Sequence, residues 1–337
     1  MEINKDYMKL KIFLIIYISI AILLCMSCKK KTDTDVDIYP FLRLGFQANK
    51  TSKEYYTAKR FAEKVYEFSN GTVEIKIFPN GQLGDDKTML EKVINGTLDI
   101  TYAETGRLGL WVPEAQIFGF PFAFDDFNHL KRTVNSDYGK SLHEKFLAKG
   151  LRVLSTGYNG TRQTTSNKPI YSIEDMHGMN FRVPAATANI KFAEYSGANP
   201  VVLPFHEVYT YLKADIIDGQ ENPLSTIDAQ KFYKVQKYCA FTSHIINDNN
   251  IIISEKSYNI LSPEQKDAVK KAAEEASLYQ TELFRTDEEK LIEDLKKQGM
   301  SFTNPDKLPF RTACKPMYDD FIEKYGKEPV EAILNAR

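Results

Sequence analysis

Two arginines with the chemistry to hold an anion, Arg162 and Arg182, stand in YNGTRQTTSN at 158–167 and FRVP at 181–184; DGQENP at 218–223 adds Asn222. Guanidinium is a planar fork of five donors that grips a carboxylate through two parallel hydrogen bonds, which an ammonium cannot imitate. Each segment is rich in β-branched and turn-forming residues and reads as turn-like, away from any long amphipathic helix. That setting suits a cleft, although either arginine alone would by default be a surface residue. A buried charge is costly unless paired, so a cleft arginine needs acids to hold it. Glu104 and Asp86 are such acids, with Arg107 beside them in the same set. Glu104 ends an apolar strand at 98–103, and ligands of open α/β sheets bind at strand C-termini. Asp86, in Gly-Asp-Asp before a helix, also reads as an N-terminal cap.

Enzymatic chemistry has weaker support. GKS at 139–141 resembles the end of a phosphate loop, but Val134 occupies the required upstream glycine position. Neither G-x-S-x-G nor H-E-x-x-H occurs. The histidines 129, 143, 177, 206 and 244 are scattered, and beyond the N-terminal segment the two remaining cysteines, Cys239 and Cys314, form no CxxC pair, so no metal or cofactor site is expected. A carboxylate pair such as Asp86 and Glu104 leaves a surface glycosidase as the enzyme alternative. Net charge is −1 with no interleaving of aromatic and basic residues, so nucleic acid is not an expected partner.

Elements able to position these residues alternate along the chain. Strands are expected at 41–46, 73–78 and 98–103, with helices at 51–70 and after Gly84-Asp85-Asp86. Strands within 170–184 and at 201–204 flank a helix at 188–196 that Gly197 ends, and 251–254 is a further buried strand. Ser262-Pro263-Glu264-Gln265 is a capping box with proline at the first helical position. No glycine or proline follows until Gly299, so about 36 helical residues would extend about 54 Å, too long for one small lobe. GFPFAF at 119–124 reads as core or hinge packing. The fold class is therefore α/β, with two lobes around a cleft.

At the N-terminus, Lys5, Lys9 and Lys11 precede an apolar run at 12–24, too short to span a bilayer and typical of a targeting segment. Ser27-Cys28 at its end is similar to a bacterial lipoprotein cleavage site, with Cys28 lipidated; plain signal-peptide cleavage and an uncleaved anchor are the alternatives. Residues 29–40 read as a flexible tether. Cys239 and Cys314 could form one disulfide or remain buried thiols.

YNGTRQTTSN, DGQENP and AQKFYKVQK at 229–237 carry a resemblance, extending over 41–325, to the substrate-binding subunits of TRAP (tripartite ATP-independent periplasmic) transporters, and among them to the sialic acid-binding members. The resemblance implies a two-lobed solute-binding fold with a central cleft, several hinge crossings and a long helix spanning both lobes. Lobe I would comprise 41–160 and 248–287, and lobe II 161–247 and 288–337. It implies that Arg182 takes a ligand carboxylate, with Arg162 and Asn222 supporting it. Glu104 and Asp86 would meet the ligand's hydroxyl tail and amide region, and Phe205 its methyl side. Arg107, Ala103, Ala186 and His244 match further pocket positions. Gln47 departs from the family's Asn. The expected function is a monomeric, lipid-anchored extracytoplasmic receptor that delivers N-acetylneuraminate to TRAP membrane subunits; a dicarboxylate or sugar acid is the alternative ligand.

Overall fold

The computed structural model describes residues 41–286 and 288–337. The expected signal segment, Cys28 and the tether lie outside the described residues. Among those described, β1 (Phe41–Gly45), β2 (Glu74–Phe78), β3 (Ile100–Ala103), β4 (Leu151–Ser166), β5 (Asn180–Val183), β6 (Asn199–Val202), β7 (Gly219–Pro223), β8 (Tyr238–Ser254) and β9 (Ser301–Thr303) build one mixed sheet. Its order is β2-β1-β3-β8-β4-β7-β5-β6, with β9 added to β8.

Two strands create the two-lobed form. β4 has 16 residues and β8 has 17, about three times the usual strand length. They pair antiparallel from Leu151 opposite Ser254 to Ser166 opposite Tyr238. β3 joins one end of this ladder through 250–253 of β8, while β7 joins the other end through 162–166 of β4. Each lobe thus grows its own half-sheet on shared crossing strands.

The ladder's register slips between Tyr158 and Thr161. Gly160 sits in the slip at φ +91°, a left-handed conformation that costs glycine nothing and that a β-bulge uses. The turn-like reading of 158–167 is corrected accordingly: this is a crossing strand carrying a bulge. Its signature was hidden because residues on both faces of its second half are buried, which removes the alternation expected of a half-buried strand.

The helices follow their local signals. Ser52 caps Lys53–Phe68 by accepting from the Tyr55 amide at 3.1 Å, and Asp85, not Asp86, caps Asp86–Asn95. Ser262 and Gln265 exchange both capping-box bonds, at 3.0 and 3.2 Å. Helix Pro263–Thr286 buries Val269, Ala272, Ala273 and Ala276 against Ala58, Phe61 and Val65 of Lys53–Phe68. Beyond Asp287, which is not described, Glu288–Lys297 packs on Leu224–Ala229 of the second lobe. The second lobe has its own core around Phe181, Val183, Phe192 and Phe310. Within 170–184 only Asn180–Val183 is strand, because Ile173–Met176 is a 3-10 turn closed by a Ser172/Asp175 capping box.

Cys239 and Cys314 are both free and buried. GFPFAF packs as core: Phe120 lies edge-on to Tyr318 and Phe321 at 5.2 and 5.3 Å. Although 288–337 was assigned to lobe II, helix Glu328–Asn335 packs on Phe127–Asn135, where the His129 Nε2 lies 2.7 Å from the Ile333 carbonyl oxygen.

Gly139 of the GKS segment has a structural reason to be glycine. A Cβ there would lie 2.0 Å from the Val134 carbonyl oxygen, at the corner where Phe127–Asn135 meets Asp137–Ala148. Gly139→Ala is therefore expected to destabilise the fold by about 1–3 kcal/mol through overpacking. A urea midpoint equal to that of the wild type would contradict this account.

Candidate functional site

The crossing strands deliver side chains from both lobes into one cleft of about 640 Å³, counting the part open to solvent. β3 ends there with Ala103 and Glu104, β4 supplies Asn159 and Arg162, β5 supplies Arg182, and β7 supplies Asn222. Three arginines are buried in this space: Arg107 is 8% exposed, Arg162 4% and Arg182 3%.

Two of them are neutralised internally. Arg107 donates from Nε to Glu104 Oε2 at 2.6 Å, and its Nη1 lies 3.4 Å from Asp86 Oδ2. Because Asp85 performs the capping, Asp86 is left to face Arg107. Burial pushes the Glu104 carboxyl up, but the charge and hydrogen bonds of Arg107, aided by Arg162, outweigh it and hold the pKa at about 2. Asp86 is raised instead: burial outweighs the opposing charge of Arg107, and the Glu104 charge adds to it.

Arg162 is clasped by Glu221. Its Nε and Nη2 reach the two carboxylate oxygens, and Nη2 also donates to the Glu221 carbonyl oxygen at 2.8 Å. Asn189 Nδ2 donates to Glu221 Oε1 at 3.1 Å, and His244 Nε2 lies 3.2 Å from Oε2. Burial lowers the His244 pKa against the pull of Glu221, which favours the neutral ring. Nε2–H then donates to Glu221, and Nδ1 accepts from the Thr242 hydroxyl 2.9 Å away. Burial would raise Glu221, but Arg162 and the His244 bond hold it at about 2.

Arg182 differs. Its Nε and Nη2 donate only to the Leu203 carbonyl oxygen, at 3.2 and 2.8 Å, and no carboxylate among the described residues pairs with it. Burial lowers its pKa to about 10; Glu221 opposes this, while the charges of Arg162 and Arg107 add to it. Phe205 lies 5.8 Å from its guanidinium carbon. A desolvated cation under lowering pressure from two neighbouring cations gains when an anion binds.

Of the residues singled out in the sequence, Gln47, Asp86, Ala103, Glu104, Arg107, Arg162, Arg182, Phe205 and Asn222 line this cleft. Ala186 lines a smaller adjoining cavity instead. His244 does not reach the cleft: it is fully buried behind Glu221 and stacks on Phe192 at 3.9 Å. Glu221 was missed, although it stands inside DGQENP, because nothing in that polar segment marks it as a fully buried strand. Glu54, Tyr102, Asn159, Asn247 and Asn249 also line the cleft without having been anticipated.

The family model for "Bacterial extracellular solute-binding protein, family 7" (DctP) matches residues 44–324. The chain belongs to this family of TRAP solute receptors, which bind substrates and are not enzymes. It is 44% identical to the sialic acid-binding periplasmic protein SiaP of Vibrio cholerae serotype O1, over 88% of this chain and 92% of that one. It is also similar to the 2,3-diketo-L-gulonate-binding periplasmic protein YiaO of Escherichia coli strain K12, at 31% identity over 84% of this chain and 87% of that one. A TRAP periplasmic solute-binding protein from Polaromonas sp. JS666, bound to D-erythronate, superposes with a TM-score of 0.83 at 32% identity, covering 87% of this chain and 97% of that one. Among the described residues no helix is long and apolar enough to cross a membrane.

Glu221→Gln should leave the Arg162 charge buried without its counter-ion, costing about 3–5 kcal/mol. The pH dependence has a definite sign. A carboxyl lowered from 4.5 to about 2 stabilises the fold fully above pH 4.5, and this contribution fades as pH falls toward 2. Urea midpoints of wild type should therefore drop between pH 5 and pH 2.5 more steeply than those of Glu221→Gln; parallel curves would show that Glu221 is not held low.

Proposed function

We propose that this protein is an extracytoplasmic receptor for sialic acid, N-acetylneuraminate, which it carries to the membrane subunits of a TRAP transporter. The observation that carries the reading is Arg182: a buried guanidinium that has no acid partner, in a cleft where the other two arginines already have theirs. A monocarboxylate supplies the missing charge and a bidentate hydrogen-bonding edge. Arg162, locked to Glu221, and Asn222 stand beside it as further donors. Glu104 and Asp86, spent on Arg107, give the first lobe a polar surface of no strong net charge, suited to hydroxyl and amide groups. The 44% identity to a sialic acid-binding relative favours N-acetylneuraminate. The diketogulonate- and erythronate-binding relatives support the alternative, a hydroxylated sugar acid on the same Arg182 anchor.

The lobes would be 41–160 with 248–287, and 161–247 with 288–337 apart from helix Glu328–Asn335, which packs on the first lobe, with ligand capture coupled to their closure on the β4–β8 crossing. We further propose that the mature chain is held at the outer face of a bacterial membrane through lipid on Cys28. Fatty-acid labelling of expressing cells should mark the wild type and not Cys28→Ala, while ligand binding is unchanged; label retained by Cys28→Ala would exclude that anchor.

Calorimetry is expected to give one-to-one binding of N-acetylneuraminate, tighter than succinate, malate or D-erythronate. Arg182→Ala should weaken it by about 2–5 kcal/mol, the usual loss when one partner of a desolvated charge pair is removed. Arg182→Lys should restore part, since it keeps the charge without the fork. Arg182→Ala binding within threefold of wild type would place the anchor elsewhere, and tighter binding of succinate would sink the sialic acid assignment alone.

A further inference from the structure

The wall that the first lobe presents to the cleft holds a pair of groups outside every role described above. Tyr102, on β3, is 7% exposed and lines the cleft, yet its hydroxyl is enclosed and has no hydrogen-bond partner among the described residues. Its ring is fixed from behind by Phe46, with centroids 5.4 Å apart, and by the apolar core under helix Lys53–Phe68. Glu54, in the first turn of that helix, lines the same wall and enters no ion pair among the described residues. Burial raises its pKa, against its own backbone amide and Ser52. The two groups sense each other: burial first, and then the Glu54 charge, push the Tyr102 phenol well above its ordinary value. Gln47 Oε1 on the same wall is also buried without a partner, its amide nitrogen being committed to the Gly84 carbonyl oxygen at 3.0 Å.

A buried polar atom without a partner costs free energy, so such atoms in native folds have a reason. Here two of them, the Tyr102 hydroxyl and Gln47 Oε1, share one wall with the half-buried Glu54 carboxyl, and all three groups can accept a hydrogen bond. A second anion is disfavoured, because Glu54, Glu104 and Asp86 would repel it. A cation is disfavoured too, because Arg107 lies beside Glu104. What remains is a neutral group rich in donors.

We propose that Tyr102 and Glu54 are specificity-determining residues that read hydroxyl groups on the part of the ligand remote from its carboxylate. This rests on the reading of the cleft as a carboxylate receptor anchored by Arg182. The Tyr102 hydroxyl accepts from, or donates to, a ligand hydroxyl, and the Glu54 carboxylate accepts from a neighbouring one. Short acids that fill only the Arg182 side leave the Tyr102 hydroxyl unpaired and are discriminated against, as happens when a site built for a hydroxyl meets an analogue lacking it.

The test is a cycle between protein and ligand. Titration calorimetry compares wild type, Tyr102→Phe and Glu54→Gln against two ligand pairs. One pair is N-acetylneuraminate and its analogue with the glycerol side chain shortened by two carbons; the other is D-galactonate and D-erythronate. Wild type is expected to prefer the longer member of the pair it recognises by tenfold or more. Tyr102→Phe and Glu54→Gln should each reduce that preference at least fivefold while leaving the affinity for the shorter member within twofold. Arg182→Ala should weaken both members alike. Tyr102→Phe only deletes an unpartnered hydroxyl, so its melting temperature should equal or exceed that of wild type, which keeps misfolding from imitating the result. Binding of D-galactonate without N-acetylneuraminate would refute the sialic acid reading and leave the second pair to decide the role of Tyr102. An undiminished length preference in both variants would overturn the proposal, as would equal weakening of long and short acids or a wild type that binds neither pair.

Discussion

Three guanidinium groups buried in one cleft impose the constraint around which the protein is organised. Each would cost several kcal/mol of desolvation if left alone, and three like charges together would cost more. The chain meets this by assigning acids unequally. Arg107 receives Glu104 and Asp86, and Arg162 receives Glu221 with its own supporting shell of Asn189 and His244. Arg182 receives only a backbone carbonyl. The cleft is thus compensated in two places and deficient in a third, which is how a rigid site stores affinity for one carboxylate without attracting anions elsewhere.

That charge pattern depends on the β4–β8 ladder. Glu221 reaches Arg162 because β7 pairs with the far half of β4, and Glu104 reaches the same cleft because β3 pairs with the opposite end of β8. The bulge at Asn159-Gly160 lies between the two. In the closure proposed for the lobes, a change of angle there would move Arg182 and Asn222 relative to Glu104 and Asp86 and leave the internal ion pairs intact.

Much of this was legible beforehand. Short strands with clean alternation, the caps at Ser52 and Ser262 and the glycine stops are local signals, set by backbone geometry and a few hydrogen bonds. Of the two long crossing strands only the end of β8 at 251–254 was legible. Buried on both faces and studded with Gly157, Asn159, Gly160 and the asparagines at 247, 249 and 250, they resemble turns. Residues expected at the ligand mostly reach one cleft, but His244 stands behind Glu221, and Ala186 lines a neighbouring cavity. A spacing along the chain does not say whether a side chain faces the cleft or the layer beneath it.

The sequence by itself determined the α/β class, the positions of most caps and short elements, and which arginines could serve an anion, because these follow from residue chemistry and local periodicity. Only the tertiary structure decided which arginine lacks an acid. That property is not carried by Arg182: it arises because Glu221, Glu104 and Asp86 are drawn from distant segments and used up by Arg162 and Arg107. Charge compensation in a buried site is a sum over neighbours in space, and neighbours in space are what folding chooses.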